Sequence, residues 1–287
     1  MGLMAGNQAI TPELRQWIVA QAQAGHKPDE VLAAMRASGW NEDVAIAAME
    51  DTLQGHLAEL ARNQGLPPPV PVPDADLRES PAWLDGGDRR VQVLMSMKLP
   101  RVIVFGGLLS DDECDAMVDA ARPRMTRSET VQTDTGGSEV NAARTSRGMF
   151  FERGENDVCR RVEARLARLL NWPLENGEGL QVLHYLPGAE YQPHHDYFDP
   201  AKPGTATIVA RGGQRVGTVV MYLNSPENGG GTTFPDVGLE VAPIKGNAVF
   251  FSYDRAHPNT KTLHGGAPVI AGEKWVATKW MREGEFK

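Results

Sequence analysis

The sequence predicts an α+β protein, a β-sandwich or jelly roll backed by helices and preceded by a small three-helix bundle. Three observations predict it. Up to residue 63 the chain is rich in Ala, Leu and Met with helical periodicity. Residues 64–82 hold much of its proline. Beyond Gly179, after two helical stretches, come short apolar runs bounded by Gly and Pro.

Taken in order, Thr11-Pro12-Glu13 opens the first helix. Thr can cap, Pro suits the first turn, and Glu suits the positive end of the dipole. Leu14, Trp17 and Ile18 then share a face, and Gly25 stops the helix. Lys27-Pro28-Asp29 opens a second helix that ends at Ser38-Gly39, and Asn41 caps a third. Residues 1–63 therefore read as a three-helix module. The proline-rich stretch favours an extended, solvated chain, so 64–97 reads as a linker. Residues 98–287 form the main domain. Its helices are expected over Leu109–Arg122, capped by Ser110, and over 155–171. Its strands are expected at Leu180–Leu186, Val216–Asn224, Asn247–Tyr253 and Glu273–Met281. The polar segment Met125–Gly154 reads as a flexible loop.

Composition narrows the function. Lys plus Arg is 29 against 37 for Asp plus Glu, a formal charge of −8. That balance argues against sequence-independent binding to nucleic-acid backbones. Two cysteines, Cys114 and Cys159, make neither a disulfide framework nor a Cys-based zinc site; they read as core thiols on helix faces. No basic-then-apolar leader and no membrane-length apolar run is seen, so a soluble cytoplasmic protein is the expectation.

The chemistry concentrates in Tyr191-Gln-Pro-His194-His195-Asp196. In an extended chain, residues two apart share a face, so His194 and Asp196 project together and His195 projects away. A third ligand must come from elsewhere, and His264, beside Gly265 and Gly266 and just before the last strand, is the candidate. Two imidazoles and a carboxylate on one face of an octahedral ion suit an oxygen-activating non-haem Fe(II). Zinc hydrolases use similar ligands, and spacing alone leaves both open. The last strand adds weight. Alternation puts Lys274, Val276, Thr278 and Trp280 on one face. A Lys on an apolar inward face needs an anion, which the far carboxylate of an iron-chelating dicarboxylate would supply.

From about residue 98 onward the chain resembles the prolyl 4-hydroxylase branch of the 2-oxoglutarate- and Fe(II)-dependent dioxygenases. The blocks fall in order: Gln181-Val-Leu-His-Tyr185, Tyr191-x-Pro-His194-x-Asp196, Gly212-Gly-Gln-Arg215, Met221-Tyr-Leu223, Gly230-Gly-Thr232-Thr-Phe234-Pro235, Leu263-His264-Gly-Gly and Gly272-Glu-Lys274-Trp275 through Trp280. The resemblance implies a double-stranded β-helix. It implies that His194, Asp196 and His264 hold iron, and that Lys274, helped by Tyr185 and Thr232, binds the 5-carboxylate of 2-oxoglutarate. It puts Tyr191, Arg215 and Trp280 on the substrate side. Fe(II), 2-oxoglutarate and O2 would be required, with L-ascorbate in support. The expected reaction hydroxylates prolyl residues of a protein or peptide, as a procollagen-proline 4-dioxygenase does, releasing succinate and CO2. The 125–154 segment would be a lid over the peptide.

Other roles remain beside these. The same chemistry on another residue, a free amino acid or a small metabolite is the first rival, and a non-catalytic binding protein is the second. His184 reads as structural, His195 as exposed or behind the ligands, and His257 as a loop residue. The Gly25-His26 and Ser38-Gly39-Trp40 turns resemble those of ubiquitin-associated three-helix modules, which implies protein docking through the N-terminal helices. Neither nucleic acid nor membrane is an expected partner.

Overall fold

A computed structural model describes residues 8–127, 130–131, 138–139 and 146–287. It divides into two compact units, Met1–Pro69 and Val70–Lys287. Much of the lid expected over 125–154, Arg144 and Thr145 included, lies outside the described residues.

The first unit holds α1 (Pro12–Gln23), α2 (Pro28–Ala37) and α3 (Glu42–Asn63). Thr11 and Asn41 cap α1 and α3 with their side chains, as the sequence predicts. Ile18, Val31, Met35, Ala45, Ala48 and Met49 make a small core of their own.

The second unit runs β1 (Trp83–Asp85), β2 (Arg90–Met97), β3 (Arg101–Gly106), α4 (Asp111–Ala121), β4 (Thr126–Arg127), β5 (Thr130–Val131), β6 (Ser138–Glu139), β7 (Arg147–Phe151) and α5 (Asp157–Leu169). There follow β8 (Leu180–Tyr185), β9 (Tyr191–His194), α6 (Thr205–Val209), β10 (Arg215–Tyr222), β11 (Asn228–Gly229), β12 (Thr232–Phe234) and β13 (Leu239–Val241). The chain ends with β14 (Ala248–Ser252), β15 (His264–Gly266), β16 (Val269–Ala271) and β17 (Lys274–Arg282). A nine-stranded sheet has the order β1-β2-β3-β14-β10-β17-β8-β7-β4, and a smaller one the order β13-β12-β15-β9. All the pairings are antiparallel. The jelly-roll expectation is met.

Alternation along the central strands explains the layers. Ile103, Phe105, Val182, Val219, Phe250, Trp275 and Ala277 pack on one face of the large sheet with α4 and α5. Val102, Val104, Leu183, Tyr185, Val249, Phe251 and Val276 point the other way, toward Phe234 and Val241 of the small sheet. Both faces are covered, so these strands read as nearly continuous apolar runs. On the helix side, Arg165 of α5 is buried between Glu113 of α4 and Asp88, at 2.8 and 2.5 Å. A buried guanidinium needs such partners.

The linker expected over 64–97 is corrected. Residues 70–97 belong to the second unit, and two of its strands fall there. The Val70 N–H donates to the Asp254 carbonyl at 2.8 Å, and the Asp74 N–H to the Leu170 carbonyl at 3.0 Å. The Asp74 carboxylate accepts from Arg101 Nε at 2.9 Å and Nη2 at 2.6 Å. Proline clustering governs only the start of this stretch. Once it ends, Val93 and Met95 find β3 as a partner, and Val91 pairs with Leu84 of β1.

Candidate active site

The site forms in the cavity between the two sheets. Leu183 and Tyr185 of β8, Thr218 and Val220 of β10, and Lys274, Val276, Thr278 and Trp280 of β17 line one wall. Tyr191 and His194 of β9, Thr232 of β12 and His264 of β15 line the other. Each of these three strands of the large sheet contributes every second residue, so the inward face read from the last strand is the one observed. A wider depression lies elsewhere, between the 74–82 segment and β2, and none of the predicted site residues borders it.

Register brings the imidazoles together. β9 and β15 are antiparallel neighbours in which His194 and His264 are direct cross-strand partners. Their ring centres are 4.4 Å apart. Asp196, two residues beyond His194, sets its Oδ1 3.5 Å from His194 Nε2 and its Oδ2 3.5 Å from His264 Nε2. One ligand atom from each of the three residues lies within 4.8 Å of the others.

Hydrogen bonds fix what these atoms can do. His194 Nδ1 is 2.9 Å from the Gln192 carbonyl, and His264 Nδ1 is 3.0 Å from the Thr262 carbonyl. A carbonyl accepts only, so each ring carries a proton on Nδ1 and turns its Nε2, the nitrogen left for a metal, toward Asp196. Burial lowers His264 to about 4 against the pull of Asp196, so the ring is uncharged at neutral pH. Burial acts to raise the Asp196 carboxyl, but the His264 and His194 imidazoles and the Arg215 guanidinium hold it well below the usual range. Three side chains that can each offer an electron pair thus converge on one point. Such a set fits a divalent cation, and its two nitrogens and one oxygen suit Fe(II).

Lys274 is the second anomaly. It is 4% exposed and pairs in register with Tyr185. Its Nζ lies 5.4 Å from the centre of the Tyr185 ring and 5.9 Å from that of Tyr222. Among the described residues it has no hydrogen-bond or ion-pair partner. Burial pulls its pKa down to about 8, offset only in part by Glu240. A buried cation without a counter-charge, facing a cavity, fits an anionic ligand group. Thr232 borders the same cavity from the opposite wall, and its Oγ1 accepts from the Tyr222 hydroxyl at 2.8 Å.

Tyr191 and Trp280 also border the cavity, and Tyr191 stacks on His194 at 3.8 Å. Trp280 Nε1 is buried without a partner among the described residues. Arg215 departs from its expected place and does not line the cavity. Its Nε and Nη2 bind the Glu178 carboxylate at 2.7 and 2.9 Å, and its guanidinium lies 3.9 Å from the Trp280 ring centre. A register shift between Arg215 and Gly217 interrupts the alternation that would have predicted its direction. His195 turns away from the cluster and stacks on Tyr197 at 4.6 Å. His184 packs on Trp275 at 4.1 Å and meets Glu273 at 2.6 Å, which fits a structural role.

Sequence reasoning missed Glu178, Thr218 and Tyr253. Glu178 is buried and binds both Arg215 and Arg282. Thr218 donates to Asp196 and touches Tyr253. Thr218 sits at an inward position of a strand the sequence does reveal, which was the available signal.

Comparison with known proteins places these features. Residues 180–282 match the family described as the 2OG-Fe(II) oxygenase superfamily. Prolyl 4-hydroxylase 5 of Arabidopsis thaliana is 39% identical over 223 residues, covering 70% of this chain and 74% of that protein. Prolyl 4-hydroxylase 2 of the same plant is 39% identical over 210 residues, covering 65% and 69%. Among solved structures, the viral collagen prolyl hydroxylase of Paramecium bursaria Chlorella virus-1, in its 2OG complex, superposes with a TM-score of 0.50 at 31% identity, over 63% of this chain and 95% of that one.

Proposed function

The chain belongs to the prolyl 4-hydroxylase-like 2OG-Fe(II) oxygenases, and from that premise we propose that it hydroxylates prolyl residues of a protein or peptide. One observation carries the reading. A convergent His194–Asp196–His264 donor set and the unpaired ammonium of Lys274 share one cavity.

In this reading His194, Asp196 and His264 hold Fe(II), and Lys274 receives the far carboxylate of 2-oxoglutarate. With both bound, the site supplies oxidative decarboxylation of the co-substrate coupled to C–H hydroxylation, releasing succinate and CO2. The protein's own part is positional. The Gln192 and Thr262 carbonyls keep each imidazole in the tautomer and rotation that present Nε2. Tyr185 and Thr232 flank Lys274 and fix where the carboxylate rests. Leu183, Val220 and Val276 keep that end of the cavity apolar, which strengthens the charge pairing. Tyr191 and Trp280 offer aromatic faces at its border for a proline ring. Arg215, held by Glu178 behind Trp280, steadies that indole against the substrate.

Ascorbate would support turnover by re-reducing iron after uncoupled cycles. The same reading keeps the protein in the cytoplasm, where the buried, unpaired Cys114 and Cys159 would stay reduced. The helical unit would dock a protein substrate. Its α1 and α3 form a groove lined by Arg15, Gln16, Val19, Gln23, His56 and Glu59.

The test is succinate release against a panel of proline-containing peptides and cytosolic proteins, with mass spectrometry to locate added oxygen. Mass gain on proline is expected. Release stimulated only by a free amino acid or small metabolite would replace the peptide reading. For the helical unit, a chain starting at residue 70 should act normally on short peptides and show a raised KM for the protein substrate. An unchanged KM would dismiss docking.

A further inference from the structure

We propose that Thr218, backed by Tyr253, is a positioning residue that presents one oxygen of Asp196 to the ion and withholds the other. The inference rests on the reading above and concerns how the carboxylate is kept from closing the site. Thr218 comes from β10 in the large sheet, and Asp196 follows β9 of the small one. The Thr218 hydroxyl donates to Asp196 Oδ2 at 2.7 Å, so this bond crosses between the sheets.

The direction of the chain of hydroxyls follows from proton counting. A hydroxyl has one proton to give. Thr218 gives its proton to Asp196, so the 3.0 Å contact between Thr218 Oγ1 and the Tyr253 hydroxyl is a donation from Tyr253. Thr218, Tyr253 and Asp196 are all buried. Burial, together with the nearby Asp196, also raises the Tyr253 phenol well above its ordinary value, so it stays a donor. No water is needed to complete this relay, and the order Tyr253, Thr218, Asp196 is the only one the donors permit.

The two oxygens of Asp196 are therefore unequal. Oδ2 carries the Thr218 hydroxyl, whereas Oδ1 accepts no hydroxyl or backbone N–H among the described residues. A carboxylate with both oxygens free can chelate a divalent ion through both. That would take one of the three positions a two-His, one-carboxylate triad leaves open. A chelating keto acid needs two of them, and the reaction needs the third. Arg215 does not do this task, because its Nε and Nη2 are on Glu178.

The test compares Thr218→Val, Thr218→Ser and Tyr253→Phe with the wild type. Mn(II) affinity is read by calorimetry. 2-Oxoglutarate affinity is read anaerobically from the visible charge-transfer band of the Fe(II) protein. Thr218→Val should weaken 2-oxoglutarate binding roughly tenfold, the size of one hydrogen bond to a charged group, with a much smaller change in Mn(II) affinity. Thr218→Ser should restore binding. Tyr253→Phe should weaken it about threefold, through the neutral bond upstream. The proposal is overturned if Thr218→Val binds 2-oxoglutarate as the wild type does, if Mn(II) and 2-oxoglutarate affinities fall together, or if Thr218→Ser behaves like Thr218→Val. Should Thr218→Val fail to fold, Tyr253→Phe decides, and unchanged binding in it refutes the relay. A wild-type protein with no band at all would instead sink the iron and 2-oxoglutarate reading, and this inference with it.

Discussion

Replacing Lys274 with Met separates what the ammonium costs from what it does. Met keeps the length and apolar stem of Lys and removes the charge. In the ligand-free protein the ammonium is buried without a counter-charge, and its pKa falls from 10.5 to about 8. At about 1.4 kcal/mol per pH unit, that is roughly 3 kcal/mol against the charged form. The sign follows by linkage. Between pH 8 and 10.5 the unfolded chain holds this proton and the folded one releases it, so this group makes stability rise with pH across that window. Below pH 8 the full penalty is present. Lys274→Met should therefore be more stable than wild type at pH 7 by up to roughly 3 kcal/mol, with the gain fading toward pH 10.5. Binding should go the other way. A far carboxylate entering that pocket without its cation loses about 3–5 kcal/mol, so 2-oxoglutarate affinity should fall a hundredfold or more. In the wild type, affinity should hold below pH 8 and decline above it, as the ammonium the ligand needs is lost. Urea unfolding at pH 7 and 10 and calorimetric titration with 2-oxoglutarate measure both effects. A variant less stable than wild type without ligand, or one that binds 2-oxoglutarate normally, would refute the reasoning.

Three further outcomes are expected. His194→Ala, Asp196→Ala and His264→Ala should each cost Mn(II) affinity more than the roughly 10–100-fold typical of an outer partner, while His195→Ala, whose ring faces Tyr197, should keep most of it; calorimetry distinguishes them. Glu178→Ala strands Arg215 and Arg282 without their shared carboxylate and should lower stability by about 3–5 kcal/mol, read as a drop in Tm. Gly179→Ala would set a Cβ 2.2 Å from the Phe151 carbonyl oxygen, so β7 and β8 must part, at a cost of about 2 kcal/mol or more in urea.

Much of this architecture is legible before folding, for reasons that differ by element. Residues 215–222, 248–252 and 274–282 announce themselves because each strand is covered on both faces and flanked by Gly or Pro. The triad is legible because His194 and Asp196 are two apart and His264 sits just ahead of the last strand. Lys274 is legible because alternation sets it beside Val276 on an inward face. Other features depend on partners far along the chain. Arg215 lies behind Trp280 because Glu178, from another segment, claims it and a register shift turns it. The 70–97 segment joins the larger unit because Asp74 meets Arg101 and β2 meets β3, neither of which its proline content reveals. Thr218 and Tyr253 carry no motif, and their roles emerge only when two sheets face each other.

The small wall of the cavity is built from strands of only three or four residues, and His194 and His264 face each other within it. So few ladder bonds make this the part of the barrel most prone to breathe. A cation clasped by both imidazoles and by the carboxylate that reaches back to the opposite layer would act as a rivet through the sandwich. Amide exchange in β9 and β15 should then slow on metal loading far more than exchange in β14 or β17, and heat resistance should climb with metal concentration. Catalytic readiness and mechanical closure would thus be the same event.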